Sequence, residues 1–180
     1  MFANQHVIPA ISNHQDLKVF LAGPAVYGVL MNFQLAQLEG LVRQVKNAGK
    51  KAIIHSELIR GLASDEYGAI YLIQSLGVDG IISSKPKVIE TCRKRGVPGI
   101  FRFFLKDGIS LRQSLEIAIK LKPSMIEVLP AYGLDLVPMI ARETGADILL
   151  GGLIPSKAFI RTCLDKGAKA VTTSNRDFWP

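Results

Sequence analysis

The sequence predicts an α/β fold, a small closed barrel of about eight parallel strands whose last helix is missing or rudimentary. Short aliphatic runs alternate with amphipathic helical patterns, which is typical of a parallel sheet covered on its outside by helices. The unit repeats about eight times, at intervals of roughly 20 to 28 residues. Glycines mark the ends of most of the helices: Gly23, Gly49, Gly77, Gly96, Gly145 and Gly167.

The first two units set the pattern. Residues 7–10 form an apolar strand, and the pair Ser12 and Gln15 has the spacing of a capping box that opens a helix. A second strand follows at residues 27–31. Its helix carries apolar residues at helical spacing: Leu35, Leu38, Leu41, Val42 and Val45.

The third and fourth units follow the same order. Residues 51–55 form the third strand, and residues 65–76 form a helix. The fourth strand is predicted at residues 80–82. Ser84 and Pro86 then open the next helix, because proline suits a first helical turn.

The fifth and sixth strands are predicted at residues 99–104 and 125–129. Between them, Ser110 and Gln113 have the spacing of another capping box, and the helix runs to Leu121. Lys122-Pro123 is the one break between units that lacks a glycine.

The last units are shorter. A helix interrupted early by Pro138 precedes a strand at residues 148–150, and the eighth strand is at residues 170–171. Residues 176–180 leave room for one helical turn at most, so we expect an apolar flank that a homodimer would cover. An open doubly wound sheet is the alternative, because barrels usually have about 200 to 400 residues.

Composition favours one globular domain over residues 1–180, since 48% of the residues are apolar and no linker-like stretch occurs. We expect a cytoplasmic protein, without a membrane span or a signal peptide. Cys92 and Cys163 fit buried reduced thiols, and no metal site is expected. The net charge of +7 permits a polyanionic partner without requiring one.

Small, donor-rich turns end the last two strands. Gly151 and Gly152 let backbone approach a ligand, and the run Thr173, Ser174 and Asn175 offers N–H and hydroxyl donors. Barrels of the TIM type commonly seat a phosphate at this position, so we predict an anion site. The alternative is a tight turn followed by a helix cap.

Polar side chains are predicted to point into the barrel. Strand side chains alternate, which turns His55, Arg102 and Glu127 inward near the carboxyl ends of three strands. A buried arginine and glutamate are costly unless they are paired or bind a ligand. We expect a phosphate or polyol site that also includes Glu57. The alternatives are a core Arg102–Glu127 pair and a Glu57 that faces solvent.

The chain resembles the glycerol-3-phosphate-responsive antiterminators of the GlpP type along nearly its whole length. Two positions depart from the family pattern: Ser12 replaces an arginine, and Glu57 replaces an aspartate. The motifs that carry the resemblance are residues 8–11, 55–61, 65–68, 81–84, 126–130, 151–154 and 171–175.

The resemblance implies a barrel-like regulator that senses glycerol 3-phosphate, binds leader mRNA of glycerol-uptake operons and prevents termination. It implies neither catalysis nor a cofactor. Basic residues on one helix are the candidate RNA contacts, and a solvated basic face is their alternative: Lys85, Lys87, Arg93, Lys94 and Arg95. A second basic group follows on a later helix: Arg161, Lys166 and Lys169.

Two further readings of the sequence stay open. A barrel enzyme acting on a phosphorylated metabolite could use Glu127 and His55 as acid and base. No inward lysine on a predicted strand offers a Schiff base, which weakens this alternative. A pure assembly module is the third reading, because the fold alone does not decide function.

Overall fold

The computed structural model describes residues 1–2 and 4–180, and its eight strands form a closed parallel barrel in sequence order. β8 pairs with β1, which confirms the barrel and excludes the open sheet. The strands are β1 Val7–Ile11, β2 Tyr27–Leu30, β3 Lys51–His55, β4 Gly80–Ser83, β5 Gly99–Phe104, β6 Met125–Leu129, β7 Asp147–Gly151 and β8 Ala170–Thr173.

Seven α-helices lie between the described strands and cover the outside of the barrel. After β8 there is a single helical turn, Arg176–Phe178, as predicted. None of the helices in the described part of the chain is long and apolar enough to span a membrane. The helices are α1 His14–Ala22, α2 Leu35–Asn47, α3 Glu66–Ile70, α4 Pro86–Lys94, α5 Gly108–Leu121, α6 Val137–Thr144 and α7 Lys157–Asp165.

The predicted N-terminus of α1 is wrong by one residue. Asn13, rather than Ser12, caps the helix by accepting the Asp16 N–H, at 2.9 Å. The Ser12 hydroxyl instead donates to the Asp16 carboxylate, and Gln15 is exposed. Ser12 and Asn13 are both suitable cap residues, so the sequence alone does not decide between them. In the structure the carboxylate of the buried Asp16 binds the Ser12 hydroxyl, and Asn13 is the cap.

Two later helix starts also differ from the prediction. α5 begins before Ser110, because Asp107 is the cap and accepts the Ser110 N–H at 2.8 Å. Pro138 lies in the first turn of α6, where proline is tolerated, and therefore does not interrupt the helix. Lys122 takes the left-handed conformation, φ 50°, that glycines take at several other helix ends.

Each strand contributes one inward apolar side chain to the barrel core. These side chains form a buried cluster that Phe2 closes at the amino ends of the strands. The cluster occupies the lower half of the barrel, so the next inward residue of each strand lies nearer the carboxyl ends. Its strand residues are Ile8, Val29, Ile53, Ile82, Ile100, Met125, Leu149 and Ala170.

The flank next to β8 is covered, which corrects the expectation of a bare apolar surface there. Phe178 and Trp179 of the terminal turn pack against the two outer core clusters, and the Trp179 indole N–H donates to the Thr173 carbonyl at 2.8 Å. The homodimer stays a prediction, but this flank no longer supports it. Cys92 and Cys163 are buried free thiols, as expected.

Candidate functional site

A cavity of about 370 Å³ opens at the carboxyl ends of the strands. Its polar floor lies two residues beyond the apolar core on each contributing strand, because side chains alternate. His55 follows Ile53, Arg102 follows Ile100, and Glu127 follows Met125. The cavity lining is Ala10, Val29, Met31, His55, Leu58, Ile82, Arg102, Glu127, Leu129, Gly152, Leu153, Ile154, Thr172, Thr173, Ser174 and Asn175.

Glu127 is buried in the cavity floor and is held from β8. The Thr172 hydroxyl donates to Glu127 Oε1 at 2.6 Å. Gly151 of β7 leaves room for this bond, because a Cβ there would meet Thr172 Oγ1 and lie 3.1 Å from Glu127 Oε1. Burial raises the pKa of the Glu127 carboxyl, although Thr172 and Arg102 oppose this shift. Gly151 therefore serves the site by its lack of a side chain and does not line the cavity.

Arg102 lies opposite Glu127 at ion-pair distance, as the core-pair alternative proposed, but the two side chains share no hydrogen bond. Its Nη1 donates to His55 Nε2 at 2.5 Å, while its Nε lies 3.7 Å from Glu127 Oε2, beyond hydrogen-bond distance. The Nε atom is buried without a partner. A buried unpaired donor costs about 1 to 3 kcal/mol, so a ligand oxygen that reached Arg102 Nε would be stabilised.

His55 is neutral in this arrangement. Burial and the neighbouring Arg102 guanidinium lower the pKa of His55 to about 4. Because Nε2 accepts from Arg102, the proton of the neutral ring is assigned to Nδ1. Nδ1 is buried without a hydrogen-bond partner and lies 3.6 Å from Glu57 Oε2. His55 therefore orients Arg102 and leaves the guanidinium as the charged group facing the cavity.

Glu57 does not line the cavity, unlike the other predicted inward residues. It lies in a helical turn after β3 and accepts the Ser84 N–H and hydroxyl at 2.5 and 2.7 Å. Burial alone would raise the pKa of the Glu57 carboxyl, but the Ser84 hydrogen bonds lower it. Glu57 therefore lies between the Nδ1 side of the His55 ring and Ser84, which precedes α4.

The predicted anion turns lie together at the rim of the cavity. Gly152 is at φ 72°, a conformation that favours glycine, and Leu153 follows at φ 54°. Ser174 and Asn175 line the rim beside them. The Asn175 N–H donates to Thr173 Oγ1 at 3.2 Å, and Asn175 Oδ1 accepts the Asp177 N–H at 3.0 Å. Asn175 is thus also a helix cap, as the alternative interpretation proposed.

An ion pair that sequence reasoning missed anchors this rim. Arg176 Nε and Nη2 lie 2.6 and 2.5 Å from Oδ1 of the buried Asp16. The Ser12 N–H and hydroxyl, each 3.2 Å away, hold the other carboxylate oxygen. The two residues are 160 positions apart, so no local sequence pattern predicts the pair. The one indication in the sequence is an aspartate on the apolar face of α1.

The basic residues of α4 divide between the two ends of the barrel. Lys85 and Lys87 lie at its start, on the side of the cavity, whereas residues 93–95 lie at its end. The two groups are about 12 Å apart along the helix. Arg93 Nη1 donates to the Leu121 carbonyl at 3.1 Å, so it also closes α5. The cluster therefore does not form one continuous patch.

The sequence profile of the family described as glycerol-3-phosphate responsive antiterminator matches residues 7–179. The chain is also 26% identical over 173 residues to the uncharacterized protein YgcP of Escherichia coli (strain K12), a match that covers 96% of this chain and 91% of the relative.

Two solved structures carry the same architecture. The glycerol uptake operon antiterminator regulatory protein of Listeria monocytogenes str. 4b F2365 superposes with a TM-score of 0.96 at 31% identity, covering 99% of this chain and 96% of that one. A glycerol uptake operon antiterminator-related protein of Thermotoga maritima MSB8 superposes with a TM-score of 0.82 at 26% identity, covering 99% of each chain.

Proposed function

Because the chain belongs to the glycerol-3-phosphate responsive antiterminator family, we propose that it binds glycerol 3-phosphate and then leader mRNA of glycerol-uptake operons. Binding of the RNA prevents transcription termination, and the protein acts in the cytoplasm, where transcripts emerge. The family relationship supports a regulator. The cavity supports the effector step, and the antiterminator family supports the RNA step, with which the net charge of +7 is compatible.

The observation that carries the effector assignment is the unsatisfied Arg102 Nε beside the buried Glu127 carboxylate in the cavity floor. A ligand hydroxyl placed alongside this ion pair can accept from the arginine and donate to the carboxylate. The rim at Gly152 and Ser174 offers the backbone donors that suit a phosphate. A small molecule with hydroxyls at one end and a phosphate at the other fits this distribution.

The cavity also limits the size of the effector. Its volume of about 370 Å³ is at the lower end of the range of about 300 to 1,000 Å³ for ligand sites. Apolar side chains of Val29, Ile82 and Leu129 line the remaining wall. Glycerol 3-phosphate is small enough to be enclosed.

Calorimetry with glycerol 3-phosphate, glycerol and inorganic phosphate tests the effector assignment. We expect binding of the first compound only, because either half alone leaves one end of the cavity unsatisfied. In vitro transcription through a glycerol-operon leader should then show more read-through when protein and effector are both present. Equal binding of inorganic phosphate, or read-through independent of the effector, contradicts the proposal.

A barrel enzyme is the second candidate, favoured by the acidic Glu127 with its raised pKa opposite Arg102. No lysine is among the residues that line the cavity. In the described residues, no group of three or more histidines, cysteines or carboxylates could hold a metal. Phosphorus NMR of the protein incubated with phosphorylated trioses and pentoses tests this candidate, and turnover of any of them would replace the regulator assignment.

A further inference from the structure

A second depression lies beside the central cavity, between the start of α4 and the surface of α5. We name it the lateral groove; its volume is about 480 Å³. Arg102 lines both the groove and the cavity. The groove lining is Ser84, Phe101, Arg102, Phe104, Lys106, Asp107, Ile109, Ser110, Gln113, Ser114 and Ile117.

We propose that the lateral groove binds an unpaired nucleotide of the RNA, with its base stacked on Phe104. This inference rests on the proposed function, because it locates the RNA partner of the same regulator. Phe104 ends β5 with 55% of its surface exposed. Exposed aromatic rings are the platforms on which proteins stack the bases of single-stranded RNA, at about 1 to 3 kcal/mol per base.

The surroundings of Phe104 suit a nucleotide. Lys106 Nζ lies over one face of the Phe104 ring, 5.9 Å from its centre. A base would therefore stack on the other face, and Lys106 can meet its neighbouring phosphate. Lys85 follows Ser84 at the opposite wall and is exposed. The Gln113 amide and the Ser114 hydroxyl add donors and acceptors for a base edge.

The charged residues of the groove favour RNA over a second protein chain. Seven of its eleven lining residues are polar or charged, whereas the centre of a protein interface is depleted of charged residues. Asp107 is the one carboxylate in the lining, and its Oδ1 already accepts the Ser110 N–H at 2.8 Å. The lining also includes the exposed apolar side chains of Phe104, Ile109 and Ile117. Its charged residues, Arg102 and Lys106 against Asp107, give it a net positive charge, which suits a nucleic acid.

The position of Arg102 connects the groove to the effector. Phe104 follows Arg102 on the same face of β5, one inward position nearer the rim. His55 already orients the guanidinium, and an effector hydroxyl on Arg102 would add a second contact that holds it in the groove wall. An effector strengthens RNA binding when it favours the conformation that binds RNA more tightly.

The test uses the tightest RNA selected from a random pool on the wild-type protein in the presence of glycerol 3-phosphate. Fluorescence anisotropy should show that Phe104→Ala weakens RNA binding about 5- to 150-fold, while Phe104→Trp retains it. Tyr132→Ala is the matched control, because Tyr132 is an aromatic residue with 58% of its surface exposed outside the groove. The control should leave RNA affinity unchanged.

Three outcomes overturn the inference. Equal RNA affinity of Phe104→Ala and Tyr132→Ala, with both variants folded and binding the effector, shows that the groove does not hold the RNA and leaves the proposed function standing. A wild-type dimer that Phe104→Ala converts to a monomer in native mass spectrometry, with RNA affinity intact, assigns the groove to a second copy. Failure of the wild-type protein to enrich any RNA removes the proposed function as well.

Photochemical cross-linking gives an independent measurement. The same RNA with 4-thiouridine in place of uridine should cross-link to the peptide that contains Phe104 and Lys106. Cross-links confined to the end of α4, at residues 93–95, would overturn the inference and place the RNA at the opposite end of the barrel.

Discussion

Arg102 and Glu127 face each other from paired positions of β5 and β6 without a hydrogen bond, because 3.7 Å separates Arg102 Nε from Glu127 Oε2. Each side chain is held by a different neighbour, Arg102 by His55 and Glu127 by Thr172. The two groups are at ion-pair distance, yet Arg102 Nε has no hydrogen-bond partner. A ligand oxygen at the cavity floor would satisfy this donor, which a pair that only closes the core would leave unpaired.

Glu127→Gln tests whether this ion pair serves the effector or only the core. We expect glycerol 3-phosphate affinity to fall about 10-fold, because the amide group has lost a charged acceptor, while the melting temperature stays within about 3 °C. Calorimetry and thermal unfolding on one sample measure both. A core pair predicts the reverse, a loss of about 3 to 5 kcal/mol in unfolding free energy with intact affinity.

Gly152→Asp places a carboxylate at the rim where the phosphate is proposed to bind. The loss of two or three charge-assisted hydrogen bonds, at about 1.5 to 3 kcal/mol each, should abolish binding of glycerol 3-phosphate. Gly145→Asp is the matched control, since Gly145 is at φ 70° and lies at the other end of the barrel. It introduces the same charge and a similar backbone strain. Unchanged affinity in Gly152→Asp would exclude this rim as the phosphate site.

Glu57→Gln should affect stability rather than effector binding. Its carboxylate accepts two hydrogen bonds from Ser84 outside the cavity lining, so we expect a loss of about 2 kcal/mol in unfolding free energy. Denaturant unfolding measures the loss. Glycerol 3-phosphate affinity should stay within about 2-fold, and a larger fall would mean that Glu57 reaches the effector after all.

His55 predicts a pH dependence of stability. The pKa of His55 is about 4 in the folded protein, below its ordinary value of 6.5. Between these values the unfolded chain binds a proton that the folded protein does not, so stability falls as pH is lowered through this window, by up to about 3 kcal/mol.

The comparison with His55→Gln isolates this contribution. The raised pKa of Glu127 acts in the opposite direction, since it favours the folded state as pH falls, but it is present in both proteins. Denaturant unfolding from about pH 7 to 4 should give a shallower loss for the variant. Parallel curves would contradict the neutral, buried state of His55.

The salt dependence of RNA binding tests which end of α4 contacts the RNA. Replacing Lys85 and Lys87 together by alanine should flatten the log-log salt slope by about 1.4, the value for two phosphate contacts to a single strand. Replacing Lys94 and Arg95 removes the same charge from the same helix and should leave the slope unchanged. The opposite pattern would place the RNA at the amino ends of the strands.

The barrel and much of its site could be predicted from the sequence, because both depend on local patterns. Alternation with period two determined that His55, Arg102 and Glu127 point inward, and the repeat of strand and helix determined where the carboxyl ends meet. Helix starts were less certain, since neighbouring polar residues such as Ser12 and Asn13 both suit a cap.

Only the tertiary structure decided how these side chains are paired. The partner of Arg102 is His55, 47 positions away, and the partner of Arg176 is Asp16, 160 positions away. The alternation of β3, continued past its end, predicted that Glu57 points inward. In the structure the chain leaves the strand at Ser56, and the Glu57 carboxylate turns toward Ser84. Such contacts depend on which strand ends come together when the barrel closes. The periodicity of the sequence does not indicate how far apart two side chains lie across the barrel.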